Sequence, residues 1–479
     1  MSVKRNYLYN LLYQIFSVIL PIITVPYITR VLGSTGIGVN AFTSANMQYF
    51  IIFASLGISL YGNRTIAFFR DDKEKLSNIF WSIFVLKLMT TSIAYAAFII
   101  AMFASGITFS NYYQIQSINI IAVGVDISWL FLGMEDFKRS ITRSIIVRII
   151  GVVAVFVFVK TGNDLWLYIL INGLSNLLGQ MILWIYAPKI IFIRKVSLKD
   201  VKIHVVPSIK LFIPTIATQI YGVFDKTLLG YMSTTIEVGL YDMGQKIIYL
   251  LLTFVSSMGV VMLPKMTNII SKGNIKKVNE YIVNSFNFAS YISIPMMFGI
   301  MAISQGFSIW FFGNEFAKSG TIMLIESPIL VMIGWSNVIG VQYMLPLGKS
   351  NEFTVSVIAG AIVNIVVNLI IVKSLLSIGT SISTVLAEFS VLSVQVYLMR
   401  NILPIKEMFR DIWKYFLAGF IMFATISLTN RLVSFSITLM ILQIVIGIFI
   451  YLTIMSISKS NFQNRMIKEI WNSIHGNNQ

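Results

Sequence analysis

The chain has 479 residues, 57% of them hydrophobic and only 11% charged, with a formal net charge of +17. Soluble globular domains carry about 25% charged residues, so this composition excludes an ordinary soluble protein. Cysteine is absent, which excludes disulfides, thiolate nucleophiles and thiolate metal sites, and the histidines His204 and His475 stand too far apart to suggest a His-rich metal centre.

In chain order, apolar runs predict membrane-spanning helices over 8–31, 37–62, 78–104, 113–134, 144–160, 165–187, 209–231, 239–263, 283–303, 320–345, 354–373, 379–399, 415–432 and 436–457. About 20 apolar residues cross a bilayer, and each span must satisfy its own backbone in lipid, so about fourteen such runs predict an all-α polytopic membrane protein. Lys4 and Arg5 before the first run look superficially like the start of a secretory leader. The run continues through Pro21 and Pro26 to Leu32 with no evident small-residue cleavage site, so it reads as a retained first span. Pro21 and Pro26, with Pro214 in the seventh span, are candidate bends.

With the N-terminus placed inside and loops assigned alternately, 27 Lys and Arg fall on inner segments, five on outer ones and four within spans. The positive-inside rule then puts both termini in the cytoplasm, and the basic balance needs no nucleic-acid partner. The inner connections 188–208 and 264–282 are basic with aliphatic residues at helical spacing, which predicts segments lying on the membrane surface. Segment 188–208 reads as a cytoplasmic linker between a six-helix lobe at 1–187 and another at 209–399, followed by two further spans and a basic tail over 400–479. A weak repeat supports this division. Arg30-Val-Leu-Gly33 with Gly36, Gly38 and Val39 parallels Leu228-Leu-Gly230 with Val238, Gly239 and Leu240, at a shift of about 200 residues. Parallel repeats of this kind relate the halves of some transporters.

Ionisable residues inside spans are costly and mark cavities or buried partners. Here they are Lys87, Asp126, Arg148, Asp225, Lys226, Asp242, Lys246, Glu326 and Glu388. Arg148 is close enough to its span edge to snorkel to the headgroups, and Glu326 is expected near an outer end, in solvent. Asp242 and Lys246 stand four apart, as an intrahelical ion pair or as ligands. Lys87, Asp126 and Glu388 lie deeper, and the neighbours Asp225 and Lys226 point about 100° apart and should meet different partners. Hydrogen-bonding residues such as Asn46, Gln48, Gln219, Gln245, Asn337 and Gln342, with Tyr49, Tyr241, Tyr249 and Tyr343, suit either helix–helix glue or a sugar path. Asn10, Tyr13, Gln14 and Tyr221 belong to the same set.

The stretch Pro21-Ile-Ile-Thr-Val-Pro26-Tyr-Ile-Thr-Arg30-Val-Leu-Gly33 followed by Gly36-Ile-Gly38 resembles the first-span signature of the polysaccharide flippases of bacterial O-antigen and capsule pathways. Phe224-Asp225-Lys226-Thr-Leu-Leu-Gly230 followed by Val238-Gly239-Leu-Tyr241 resembles its seventh-span counterpart, with Lys226 where the family usually has Arg. The resemblance implies the multidrug/oligosaccharidyl-lipid/polysaccharide exporter fold: two six-helix lobes around a central cavity plus two C-terminal helices. It also implies a lipid-linked oligosaccharide, anchored by undecaprenyl pyrophosphate and turned from inner to outer leaflet of the bacterial cell membrane. Arg30, Lys87, Lys226 and Lys246 could then meet the pyrophosphate, with Asp126, Asp225, Asp242 and Glu388 as further transport-path candidates. No cofactor is expected, and coupling to a proton or sodium gradient stays open. Membrane lipids, and other polysaccharide-assembly proteins, are the remaining candidate partners.

A multidrug exporter of the same fold is the first alternative; it would favour a more acidic cavity. A membrane glycan polymerase or glycosyltransferase is the second, but the outer loops are short, the membrane acids dispersed, and no phosphate loop, metal cluster or nucleophile–base set is evident. A purely structural scaffold leaves the many buried charges unexplained.

Overall fold

A glycine makes the first break in the chain. In the computed structural model, helix α1 (Val3–Ser55) carries non-helical dihedrals at Gly33, with φ 65° and ψ 178°. That region is open essentially to glycine alone, so Gly33 divides α1 into arms 3–32 and 34–55. Pro21 and Pro26 stay inside the first arm, and the chain turns at Gly33 instead. The structure describes residues 3–104, 108–271, 275–433, 435–458, 460 and 462–464, and their side chains except at 3–15, 104, 213–215, 217, 218, 220, 221, 257–265, 268, 271 and 275. Asn10, Tyr13, Gln14, Pro214 and Tyr221 therefore lie outside the described side chains.

The remaining helices are α2 (Ile58–Phe69), α3 (Lys73–Ala104), α4 (Ser110–Gln116), α5 (Ile118–Val125), α6 (Ser128–Gly133), α7 (Phe137–Phe158), α8 (Leu165–Trp184) and α9 (Leu198–Met232). They continue as α10 (Thr235–Ser271), α11 (Ile275–Phe312), α12 (Ala317–Glu326), α13 (Ile329–Ser336), α14 (Ser350–Leu375), α15 (Ser377–Met399), α16 (Ile405–Phe409), α17 (Ile412–Leu432) and α18 (Ile437–Ile457). No strand occurs among the described residues. Among the described residues, eleven helices are long and apolar enough to cross a membrane, or twelve if the pair Asn314–Glu326 and Ile329–Met344 forms one span. The expected fourteen is not reached by that measure, in which Phe16–Phe69 counts once despite its break at Gly33 and α9 does not count.

Two expected spans are broken. Residues 113–134 fall into α4, α5 and α6, with an extended backbone at Asp126 (φ −68°, ψ 117°). Residues 320–345 bend by 44° between α12 and α13 and end in a π-helical segment, Asn337–Met344. Pro328 lies at that bend, where its missing N–H relieves the chain of one helical bond. Such breaks rearrange backbone bonds without changing apolarity, so a run of hydrophobic residues hides them.

By packing, the chain divides into two units, Met1–Gly239 and Leu240–Gln479. Helix α9 packs on α1, α2 and α3 within the first unit. In the first unit α7 and α8 pack on each other and α7 on α1, while Phe80 stacks on Trp129 with ring centroids 5.2 Å apart. In the second unit α14 lies along α15, and α11 gathers α12, α13 and α17 around Phe286, Tyr343 and Tyr415.

Residues 188–208 are fastened within the first unit. Trp81 Nε1 donates to the Phe192 carbonyl at 3.0 Å, Arg194 meets Glu74 at 2.8 Å, and Tyr61 OH and His204 Nδ1 share a 2.7 Å hydrogen bond. Ser197 and Asp200 form a reciprocal cap that starts α9. Burial lowers the His204 pKa below the ordinary imidazole range, with Asp200 opposing. The unfolded chain therefore takes up the proton first, so the stabilisation is complete above the ordinary value and declines as pH falls through it. Wild-type protein should show a lower thermal midpoint at about pH 5.5 than at about pH 7.5, on either side of the ordinary histidine value. His204→Phe should flatten that decline, and an equal decline in both proteins would remove His204 as its cause.

Candidate functional site

The buried charge Lys87 is 0% exposed on α3. Its Nζ lies 3.1 Å from Asp126 Oδ2 and donates to the Asp126 carbonyl at 2.8 Å. The break after α5 makes this possible, because an interrupted helix leaves that carbonyl free to accept. Trp129 Nε1 donates to the same carbonyl at 3.2 Å, and the Ser128 N–H donates to Asp126 Oδ1 at 2.8 Å. Two of the eight sequence candidates, Lys87 and Asp126, are thus joined in an ion pair.

Arg30 is exposed at the end of the first arm of α1, where its Nη1 donates to the Pro26 carbonyl at 2.8 Å. On α9, Asp225 is fully buried and Lys226 half-buried. Thr227 beside them donates to Asn46 Oδ1 at 2.9 Å, and Asn46 Nδ2 donates to Tyr113 OH at 2.6 Å. The second arm of α1, α4 and α9 thus meet in a polar cluster of Asn46, Tyr113 and Thr227.

The other candidates belong to the second unit. Asp242 is half-buried and Lys246 exposed on α10, and Glu388 is buried on α15. One turn before Glu388, Thr384 shares a 3.0 Å hydrogen bond with Tyr241 OH, which accepts from Gln245 Nε2 at 2.7 Å. Glu326 is 0% exposed at the end of α12, not in solvent as expected; α12 packs on α11 and α15. Arg148 is exposed and donates from Nη1 to Ser17 Oγ at 2.8 Å.

Sequence reasoning missed Tyr113, Thr227 and Thr384, which are ordinary residues until folding sets them beside Asn46 and Tyr241. It also missed a second polar series. Arg143 Nη1 donates to Gln180 Oε1 at 2.9 Å; Asn176 donates to Asn119, Asn119 to Gln116, and Gln116 to Asn40, at 3.1, 3.2 and 3.2 Å. The four-residue spacing of Tyr168, Asn172, Asn176 and Gln180 inside one expected span was its visible signal.

The geometry offers hydrogen-bond donors, acceptors and aromatic faces within membrane helices. Among the described residues, no group of three His, Cys, Asp or Glu is placed to hold a metal ion.

Long apolar helices, breaks that expose backbone groups inside them, and polar clusters at those breaks define a multi-pass membrane protein of the transporter class. The fold matches a solved lipid II flippase MurJ in an inward closed conformation, with a TM-score of 0.78 at 16% identity over 96% of this chain and 100% of that one. It also matches an inward-facing multidrug resistance MATE family transporter, with a TM-score of 0.59 at 14% identity over 90% of this chain and 97% of that one.

The chain belongs to the family described as "Polysaccharide biosynthesis protein", whose profile matches residues 3–270. A putative O-antigen transporter of Escherichia coli (strain K12) is 27% identical over 413 residues, covering 84% of this chain and 97% of that relative. A probable low-salt glycan biosynthesis flippase, Agl15 of Haloferax volcanii, is 22% identical over 462 residues, 94% of each chain.

Proposed function

We propose that this protein is a flippase that moves an undecaprenyl-pyrophosphate-linked oligosaccharide from the inner to the outer leaflet of a bacterial cytoplasmic membrane, for capsule or O-antigen-type polysaccharide. The observation that carries the reading is the family match over 3–270, which includes both Arg30–Gly38 and the Asp225-Lys226 segment. The likeness to a putative O-antigen transporter over 84% of the chain supports it. In this reading both termini are cytoplasmic, and a proton or sodium gradient drives the cycle. The protein builds no bond itself. Other polysaccharide-assembly proteins supply and consume its cargo.

Lys226 is half-buried and follows Asp225 directly before Thr227, which belongs to the Asn46–Tyr113–Thr227 cluster; in this reading its charge draws the phosphate while the cluster meets sugar hydroxyls. Deleting the protein should abolish surface glycan while lipid-linked glycan accumulates in the inner leaflet. Lys226→Arg should retain export, because the charge remains. Lys226→Gln should lose about tenfold or more at normal membrane abundance, the scale of one charge-assisted hydrogen bond. Purified protein in liposomes that extends a glycan from nucleotide sugars would replace this reading with an enzyme.

A further inference from the structure

The α8 series lies on the wall of a cavity. A space of about 770 Å³ opens between α1, α7 and α8, lined by Ser17 and Thr24, by Arg143 and Arg148, and by Asn172, Asn176 and Gln180 among others. Its size is in the range of small-molecule sites. Tyr168, Asn172, Asn176 and Gln180 repeat every four residues, so they form one face of α8 over about 18 Å. A polar stripe of that length on a membrane helix must meet polar atoms or water, and here it faces the cavity.

The charge of the lining is one-sided. Among the described residues it includes two guanidiniums and no carboxylate. Arg143 Nη1 is held by Gln180 Oε1 at 2.9 Å and the Gly179 carbonyl at 2.5 Å, and Arg148 Nη1 by Ser17 Oγ at 2.8 Å. These bonds fix the two planar forks on α7. Guanidiniums suit phosphate, and neutral amides suit hydroxyl groups.

The cavity continues at both ends. Arg143 also lines a neighbouring space of about 640 Å³ with Lys138 and Arg139, where Glu135 and Asp136 add acids. Those acids are bound locally, Asp136 to Arg139 at 2.8 Å and Glu135 to Arg70 at 3.0 Å. Asn172 and Asn176 also line a third space of about 350 Å³ with Asn40, Gln48, Gln116 and Asn119. On the outer faces of the same helices, Ile146, Ile150 and Val153 of α7 and Leu178 of α8 are each more than half exposed. A lipid chain can lie against them while its head turns inward.

We infer that the α1–α7–α8 cavity is a binding site for the phosphate of a membrane lipid, with Arg143 and Arg148 holding the phosphate and the α8 amides holding attached hydroxyl groups. The inference deepens the transport reading, on which it rests for the sugar-bearing lipid as occupant. It places a site inside the first unit, apart from Arg30 and the Asp225-Lys226 pair. In the proposed orientation, Lys138 and Arg139 stand at its cytoplasmic mouth.

The test uses full-length purified protein in lipid nanodiscs and a photoactivatable polyprenyl phosphate, with the labelled peptides identified by mass spectrometry. Label should appear in 138–186. Arg148→Gln should reduce it about tenfold, the scale of one lost charge-assisted contact. Ser144→Trp, which keeps both arginines and fills the cavity, should reduce it as strongly. Undecaprenyl phosphate that competes at lower concentration than phosphatidylglycerol identifies the carrier lipid as the source. Equal competition by phosphatidylglycerol identifies a general phospholipid, and both results sustain the site. Label elsewhere, label unchanged in folded Ser144→Trp, or equal competition by inorganic phosphate would overturn it. Because labelling is read without transport, a negative result leaves the flippase reading standing, and a failed export assay leaves the labelling result interpretable.

Discussion

Lys87→Met should destabilise the protein by about 3–5 kcal/mol, the range for removing one partner of a buried ion pair. Lys87 Nζ and Asp126 Oδ2 are 3.1 Å apart, with side-chain exposures of 1% and 14%. Without the ammonium, Asp126 keeps one backbone N–H, from Ser128 at 2.8 Å, but its charge stays in a medium that cannot solvate it. The Asp126 carbonyl also loses a donor and keeps Trp129 Nε1. The loss should therefore exceed that of an ordinary surface pair, which contributes about 0–1 kcal/mol. Thermal unfolding in detergent and abundance in the membrane measure it. Lys87→Met combined with Asp126→Leu should recover much of the loss, since the double change leaves no charge buried alone. Recovery will be partial because the Ser128 N–H loses its acceptor. A Lys87→Met protein of wild-type stability that fails only in export would instead make Lys87 a ligand of the transported headgroup.

The pair also marks where the sequence stops being readable. Lys87 and Asp126 are each visible as charges inside apolar runs, because lipid penalises any charge at depth. Their partnership spans 39 residues and depends on the broken backbone after α5, and neither feature leaves a mark in hydropathy. The helical class was legible for the opposite reason. It depends on runs of about 20 apolar residues, which no tertiary contact alters. The π-helical segment at Asn337–Met344 was illegible, since its residues would suit an α-helix equally well. The α8 amides were legible at their four-residue spacing, but charge drew attention before hydrogen-bonding capacity did. The bend expected at Pro21 and Pro26 falls at Gly33 instead. Gly38 and Gly239 announced a repeat, and their packing requirement appears only in three dimensions.

Gly239→Leu should be the second large loss. A Cβ on Gly239 would stand 2.7 Å from the Ser34 carbonyl oxygen, 2.8 Å from the Gly38 nitrogen and 3.0 Å from the Gly38 Cα. A Cβ on Gly38 would in turn collide with the Thr235 carbonyl group. The obstacles are backbone atoms, so no rotamer change can make room. Ser34 with Gly38, and Thr235 with Gly239, each stand four residues apart, the small-residue spacing that lets membrane helices approach closely. A leucine must therefore separate the second arm of α1 from the start of α10, with an overpacking penalty of about 1–3 kcal/mol or more. Gly222 supplies the control, because its Cβ would have nothing within 4 Å. Gly222→Ala should be neutral or slightly stabilising, since alanine is favoured over glycine in a helix by about 1 kcal/mol. Thermal midpoints of the two variants, measured in the same detergent, test the contrast. Equal midpoints would show that α1 and α10 yield freely at this contact. A lowered midpoint for Gly239→Leu alone would show that the glycines of the two motifs are there to let two backbones touch.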